Sequence, residues 1–316
     1  MRPRIAIATG DPAGIGPEIS IKAALDPSVR AICDPVVIGD RLALRACKIP
    51  LDDVEIVEKN TLKPGELRIG EIHAAHGRAA LEAARTAIEG ALAGEYAAVV
   101  AAPHTETAIL AAGIDFDGYP SFVARTAGLA PEDGILMLCF QYRQREVRIA
   151  HVTLHASVRN ALQLITRARV FKTVKAVHET LEKIGVEKPK IAVSGVNPHA
   201  GESGLFGSED IDTIVPAIEE ARSEGMTVDG PIGADTLIQR EGYDAYVVML
   251  HDQGHVAAKL LAPNGAAALT IGTPVLFSSV AHGSALDIAG KGIATHGAMV
   301  EAITRLVTRR RRPRAT

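Results

Sequence analysis

Three histidines carry the chemistry that the residue types and spacings make available. His155 closes the run Ile149-Ala150-His151-Val152-Thr153-Leu154-His155, and His199 sits in Asn197-Pro198-His199-Ala200-Gly201-Glu202. His251 opens His251-Asp252-Gln253-Gly254-His255. Each follows an apolar, β-branched run that reads as a strand, and strand ends are where α/β proteins gather ligand sites. Neutral imidazoles suit zinc and similar divalent ions, and three of them leave coordination positions open for a substrate. Any one alone is as readily a hydrogen-bonded structural histidine; three at three strand ends point to one metal site. At strand periodicity His151, Thr153 and His155 share a face. The β-branched character of that run argues against a helix with ligands at i and i+4. Asp235, in the turn-rich Asp229–Thr236, and Asp252, beside His251, could ligate the ion or orient a ligand. Lys259 could hold an acidic substrate or assist proton transfer. Helix caps and surface pairs account equally for these three.

A second candidate is Gly10-Asp11-Pro12-Ala13-Gly14-Ile15-Gly16-Pro17-Glu18, between a strand and a helix. Glycines there suggest backbone N–H groups presented to an anion. The dinucleotide fingerprint is not met, because Ile19 stands where the third glycine belongs and no ribose-binding acid follows. A bare strand–helix turn would need glycines too.

These segments need strands and helices to place them. Ile5 to Thr9, Val36 to Ile38, Ala97 to Ala101 and Ile135 to Phe140 read as strands. So do Val147 to Thr153, Lys190 to Val196, Ala245 to Leu250 and Ala267 to Ile271. Amphipathic stretches lie between them, notably Gly77 to Leu92 and Val158 to Ile184. Runs such as AAVVAA and AYVVML suit a sheet covered by helices on both faces. The class is α/β, and without a linker any two lobes must be joined by more than one crossing.

With 316 residues, 47% hydrophobic, and a net charge of -3, the chain can bury a large core and has no general basic face for nucleic acid. The basic stretch Arg309 to Arg312, with Arg314, reads as a solvated tail. Cys33, Cys47 and Cys139 show no paired spacing, which excludes a disulfide framework or a CxxC site. The N-terminal apolar run reaches a Gly/Pro turn too soon for a signal peptide. No run approaches the roughly 20 apolar residues of a membrane span. The expected location is the cytoplasm.

Taken together, GDPAGIGPE, GVNPHAGE, DGPIGADT and HDQG resemble the 4-hydroxythreonine-4-phosphate dehydrogenase family, in its order and along nearly the whole chain. The resemblance implies an isocitrate/isopropylmalate dehydrogenase-like fold, two interwoven α/β/α lobes with a central cleft. One lobe would be discontinuous, 1–118 plus 266–316; the other, 119–265, would carry dimerisation and the metal ligands. It also implies a divalent ion on His155, His199 and His251, completed at a homodimer interface. Imidazole ligands favour zinc, with iron, cobalt, manganese and magnesium as alternatives. His282-Gly283-Ser284-Ala285-Leu286-Asp287-Ile288-Ala289-Gly290 is similar to the loop that isopropylmalate dehydrogenases place around the adenosine of NAD. Small residues there admit the adenine, and Asp287 can accept from the ribose hydroxyls, favouring NAD over NADP.

Two departures bear on the substrate. Family members acting on the phosphorylated threonine carry Gly-His-Thr-Glu where this chain has Gly118-Tyr119-Pro120-Ser121. Counting from Lys259, the family's substrate-binding asparagine and arginine fall at Ala268 and Phe277, which cannot hold a phosphate as an arginine does. Pro103–Ile109, Gly118–Ser121, His151–His155 and Lys259–Gly265 resemble instead the terephthalate cis-dihydrodiol dehydrogenase branch. That implies NAD-dependent oxidation of a carboxylated cyclohexadiene diol, with loss of carbon dioxide to give protocatechuate. Tyr119, Pro120, Ser121 and Lys259 would then bind substrate. Asp235, Asp252 and Lys259 would serve orientation and proton transfer. The alternatives are a 4-phosphohydroxy-L-threonine or 4-phospho-sugar-acid dehydrogenase, a metal-dependent hydrolase or decarboxylase without nicotinamide, and a non-catalytic binding protein.

Overall fold

The computed structural model describes residues 2–262 and 266–307. Residues 263–265, which end the Lys259–Gly265 motif, and the basic stretch Arg309–Arg312 with Arg314 lie outside the described residues. The described residues fall into two compact units, 2–134 with 267–307 and 135–262 with 266, so the chain passes between them twice. The helix Tyr119–Thr126, at the start of the expected second lobe, belongs to the first of these units.

The first unit holds β1 (Arg4–Ala8), β2 (Asp34–Asp40), β3 (Glu55–Lys59) and β4 (Ala98–Ala101). The second holds β5 (Ile135–Tyr142), β6 (Arg145–His151), β7 (Lys190–Ser194), β8 (Thr227–Ile232) and β9 (Ala245–Val248); β10 (Ala267–Ile271) and β11 (Phe277–Val280) return to the first. The strand order in the first unit is β3-β2-β1-β4-β11-β10, parallel except for the antiparallel pair β10–β11. Successive side chains along a strand point to opposite faces. Ile5, Ile7, Val37 and Val100 therefore meet helices Gly16–Leu25 and Gly297–Val307 through Ile19, Met299 and Ile303. Ala6, Ala8, Val36, Val99 and Ala101 turn the other way, onto Leu81, Ala84 and Ile88 of helix Ala74–Leu92. Each Ile or Val buried in these layers contributes about 1.5–3 kcal/mol relative to exposure. The sheet covered on both faces is the arrangement expected from the near-continuous apolar strands.

In the second unit the order is β5-β6-β9-β7-β8. β5 and β6 form an antiparallel hairpin, while β6–β9, β9–β7 and β7–β8 are parallel. The expected helical stretch 158–184 is two helices, Val158–Leu164 and Arg167–Lys183. Thr166 divides them, its hydroxyl capping the second by accepting from the Arg169 N–H at 3.2 Å.

Candidate active site

The four parallel strands of the second unit lie side by side as β6-β9-β7-β8, so their carboxyl ends share one edge. His155 follows β6, His251 follows β9, His199 follows β7 and Asp235 follows β8. Topology alone thus brings the sequence-chosen residues to one edge, where open α/β sheets collect ligands.

His155 does not extend its strand. β6 stops at His151, and hydrogen bonds from Val152 and Thr153 N–H to Val248 and Met249 carbonyls end the pairing where β9 ends. The expected shared face of His151, Thr153 and His155 is therefore corrected: His151 and Thr153 are buried, whereas His155 lies in an exposed turn. The turn still brings its ring centroid within 5.8 Å of His251. Two imidazoles sharing one tetrahedral ion need a separation of roughly 5 Å.

His251 starts helix His251–Leu261, and its Nδ1 lies 2.6 Å from Oδ1 of Asp252. A carboxylate on Nδ1–H fixes the tautomer and leaves Nε2 as the donor to an ion. His199 repeats this device, with Nδ1 3.2 Å from the Glu202 carboxylate. Its loop is strained: His199, Ala200, Glu202 and Ser203 have φ of +52°, +54°, +40° and +57°, a left-handed run costing about 1–2 kcal/mol per L-residue. Such strain persists only where surrounding bonds over-determine it. Here the fully buried Asp210 does so: its carboxylate accepts from Val196 N–H (2.8 Å), Asn197 N–H (3.2 Å) and Asn197 Nδ2 (2.9 Å). Gln253 joins two of the histidine segments. Its Oε1 accepts from Met249 and Leu250 N–H at 2.9 and 3.0 Å, and its Nε2 donates to the Gly195 carbonyl at 3.1 Å. Neither Asp210 nor Gln253 was selected from the sequence; HDQG and the acid pair Glu209-Asp210 were the available signals.

Asp235 is exposed in the first turn of Ala234–Leu237, and a Cβ on Gly233 would stand 2.7 Å from its Oδ1 and 3.5 Å from His199 Cα, so Asp235 and His199 are neighbours. Lys259 is exposed near the end of the His251 helix. Behind His251 lie two further imidazoles. His255 stacks on it, and His151, buried, sits 4.7 Å from His255. Burial first, then the neighbouring histidine, pushes His151 down to about 3 and His255 down to about 4, so both stay neutral. Among the described residues no three His, Cys, Asp or Glu side chains are already drawn close enough to hold an ion. The donor chemistry nevertheless suits one, with two imidazoles adjacent and two Nδ1 atoms held by carboxylates.

In the first unit the glycine-rich turn fits the plainer of its two readings, a strand–helix turn packed against protein. Its N–H groups face protein rather than an anion: Asp11 N–H donates to the Pro103 carbonyl (2.8 Å), Ala13 N–H to Asp11 Oδ1 (2.9 Å) and Ile15 N–H to the Ser284 carbonyl (2.9 Å). Gly14 and Gly16 are required by close approach, because a Cβ would stand 2.6 Å from the Ser284 carbonyl oxygen and 2.0 Å from that of Thr9. The turn is thus a dock for the loop His282–Gly290. Ser284 seats that loop by accepting from the Thr105 hydroxyl at 2.9 Å. Beyond it, Glu18 accepts from Ala294 N–H (3.0 Å) and Lys22 Nζ (2.6 Å), and Lys22 donates to the Gly292 and Ala294 carbonyls. His282, Gly283, Asp287 and Gly290 remain exposed on this seated loop, with Ser284 buried and Ala285 half-buried at φ +43°.

Tyr119 opens helix Tyr119–Thr126 and is buried, its ring 4.9 Å from Phe277 and 4.7 Å from His104. Its hydroxyl and Oδ2 of Asp11 have no hydrogen-bond partner, and burial with the Asp11 charge pushes the phenol up. Pro120 stands half-buried at the next position, and the Ser121 hydroxyl donates to Asp117. Ala268 pairs with Ser279 and Phe277 with Thr270, and Phe277, one of the two positions that the resemblance gives to phosphate binding, packs with Tyr119 in an apolar cluster.

Parallel α/β units with histidines and carboxylates at a shared strand edge define the class, an α/β enzyme with its chemistry on loops. Residues 31–306 match the family model described as pyridoxal phosphate biosynthetic protein PdxA. The chain is 45% identical over 310 residues, 96% of each chain, to a 1,2-dihydroxy-3,5-cyclohexadiene-1,4-dicarboxylate dehydrogenase of Comamonas sp. Among solved structures it resembles a terephthalate 1,2-cis-dihydrodiol dehydrogenase from Burkholderia xenovorans LB400, with 39% identity, 98% of each chain covered and a TM-score of 0.76. It also resembles a 4-hydroxythreonine-4-phosphate dehydrogenase from Klebsiella pneumoniae, with 33% identity, 97% and 98% covered and a TM-score of 0.82. The chain belongs to the PdxA, or 4-hydroxythreonine-4-phosphate dehydrogenase, family, and is a dehydrogenase acting on CH–OH groups.

Proposed function

We propose that this dehydrogenase is metal- and NAD-dependent and oxidises a carboxylated cis-dihydrodiol of the terephthalate type, working as a homodimer. The observation that carries the substrate reading is the packing of Phe277 against Tyr119, where an arginine would be needed for a phosphate ester. The identity to a cyclohexadiene-diol dicarboxylate dehydrogenase supports it.

His155, His199 and His251 would hold the ion, and the loop bearing His282, Gly283, Ser284, Ala285, Asp287 and Gly290 would hold NAD. A bound divalent ion supplies Lewis-acid polarisation of the carbinol oxygen, and a nicotinamide accepts the hydride. Asp252 and Glu202 fix the tautomers of His251 and His199. Lys259 offers a cation to a ring carboxylate, and Asp235, beside His199, takes the hydroxyl proton. Oxidation of the ring carbinol would give a ketone β to a carboxylate; that carboxylate would leave as carbon dioxide, its bonding pair would restore the aromatic ring, and the former ketone oxygen would take back the proton held by Asp235 to become a phenol. Tyr119, Pro120 and Ser121 would bind the substrate.

The test is NAD reduction with zinc, iron, cobalt, manganese or magnesium supplied, comparing the terephthalate cis-dihydrodiol with 4-phosphohydroxy-L-threonine. The expected result is turnover of the diol with release of one carbon dioxide, at a kcat/KM at least about 100-fold above the phosphate ester. Preference for the ester would overturn the proposal.

A further inference from the structure

We infer that His255 is a positioning residue that sets the plane of the His251 imidazole. The inference rests on the reading of His251 as an ion ligand. The two residues are i and i+4 on the first turns of one helix, a spacing that places their side chains on the same face. Their rings lie 3.8 Å apart between centroids and 7° from parallel. Side chains on a helix surface keep their freedom to rotate unless something holds them, and His255 is itself held. Its Nδ1 donates to the His251 carbonyl at 3.2 Å, and its ring rests 4.7 Å from that of the buried His151.

His151 is in turn fixed from below. Gly254 leaves room for it, because a Cβ at that position would stand 2.2 Å from His151 Nε2. The Leu136 carbonyl lies 3.4 Å from its Nδ1. An anchored ring thus supports a second ring, which supports the ring of His251. Asp252 fixes which nitrogen of His251 carries the proton, but its side chain is 85% exposed and one hydrogen bond leaves the imidazole free to swing about it. The stack removes that freedom, so Nε2 is aimed before an ion arrives. Outer partners of this kind are worth about 10–100-fold in metal affinity.

The experiment measures binding of cobalt(II) and zinc(II) to the metal-free full-length protein by competition with a chromophoric chelator, together with the d–d spectrum of the cobalt form. Wild type, His255→Ala, His255→Phe and His251→Ala are compared. His255→Ala is expected to weaken binding about 10–100-fold and alter the cobalt spectrum, with the melting temperature of the metal-free protein unchanged. His255→Phe, which keeps a flat ring without a ring nitrogen, is expected to restore affinity to within about three-fold. In the metal-free protein, the carbon-bound ring protons of His251 should move downfield in His255→Ala as the ring current of its neighbour is lost. If wild type binds with no loss in His251→Ala, the ion-site reading fails. If His251→Ala loses binding but His255→Ala does not, the positioning role alone is overturned. If His255→Phe is as weak as His255→Ala, the nitrogen rather than the stack is what matters, and the inference also falls.

Discussion

The glycine-rich turn of the first unit and the histidine edge of the second reach opposite ends from similar-looking sequence. Gly10–Glu18 has the composition of a ligand cradle, yet its turn N–H groups bond to the protein and its glycines admit other backbone. The histidine loops have less regular spacing, yet His155 and His199 are exposed and two Nδ1 atoms are committed to carboxylates. Glycine spacing reports that something comes close, not what it is. A polar side chain held by its second nitrogen is the more direct sign of chemistry.

Substitution on each side should separate the two regions. His199→Ala is expected to lower kcat on the order of 10³-fold while the metal-free protein melts as wild type does, since the side chain is 64% exposed. A comparable loss of folding stability would show that the loop is structural. Gly16→Ala should do the reverse. Its Cβ would meet the Thr9 carbonyl oxygen at 2.0 Å, and the resulting displacement costs about 3 kcal/mol in urea unfolding, with metal affinity of the folded fraction retained. Unchanged stability would mean that the turn is looser than its contacts indicate.

The smallest effect concerns pH. The imidazole of His151 takes a proton near pH 6.5 when unfolded but only near 3 when folded. The unfolded chain therefore binds more protons between those values, and stability is full above about pH 6.5 and declines as pH falls toward 3. His151→Gln should flatten the melting temperature over that window by several degrees relative to wild type. Parallel curves for the two proteins would contradict the burial argument.

Eight strands were legible because apolar, β-branched runs announce them. The three that were not have physical reasons. β3 reads EIVEK, with charges at its exposed positions; β8 contains Gly230-Pro231, which signals a turn; β11 is FSSV, short and half polar. Local propensity also over-extended the strand toward His155, because what stops β6 is the end of its partner β9, a non-local fact. At the candidate site the histidines were visible as types at strand ends. Asp210 and Gln253 act through backbone amides and carbonyls of other segments, contacts that no sequence spacing encodes, whereas His255 stands four residues from His251, a spacing that becomes informative only once the helix is known.

The division of the chain has a consequence for the order in which the protein can be made. β4 gains its neighbour β11 only when residues 277–280 have been synthesised, after all of the second unit. Until then Ala98–Ala101, four buried apolar residues, presents an unpaired strand edge, the kind of surface that recruits other chains. Strands β5 to β9, contiguous in sequence, can pair with one another in that interval, so most pairing in the unit that starts second on the ribosome can form first.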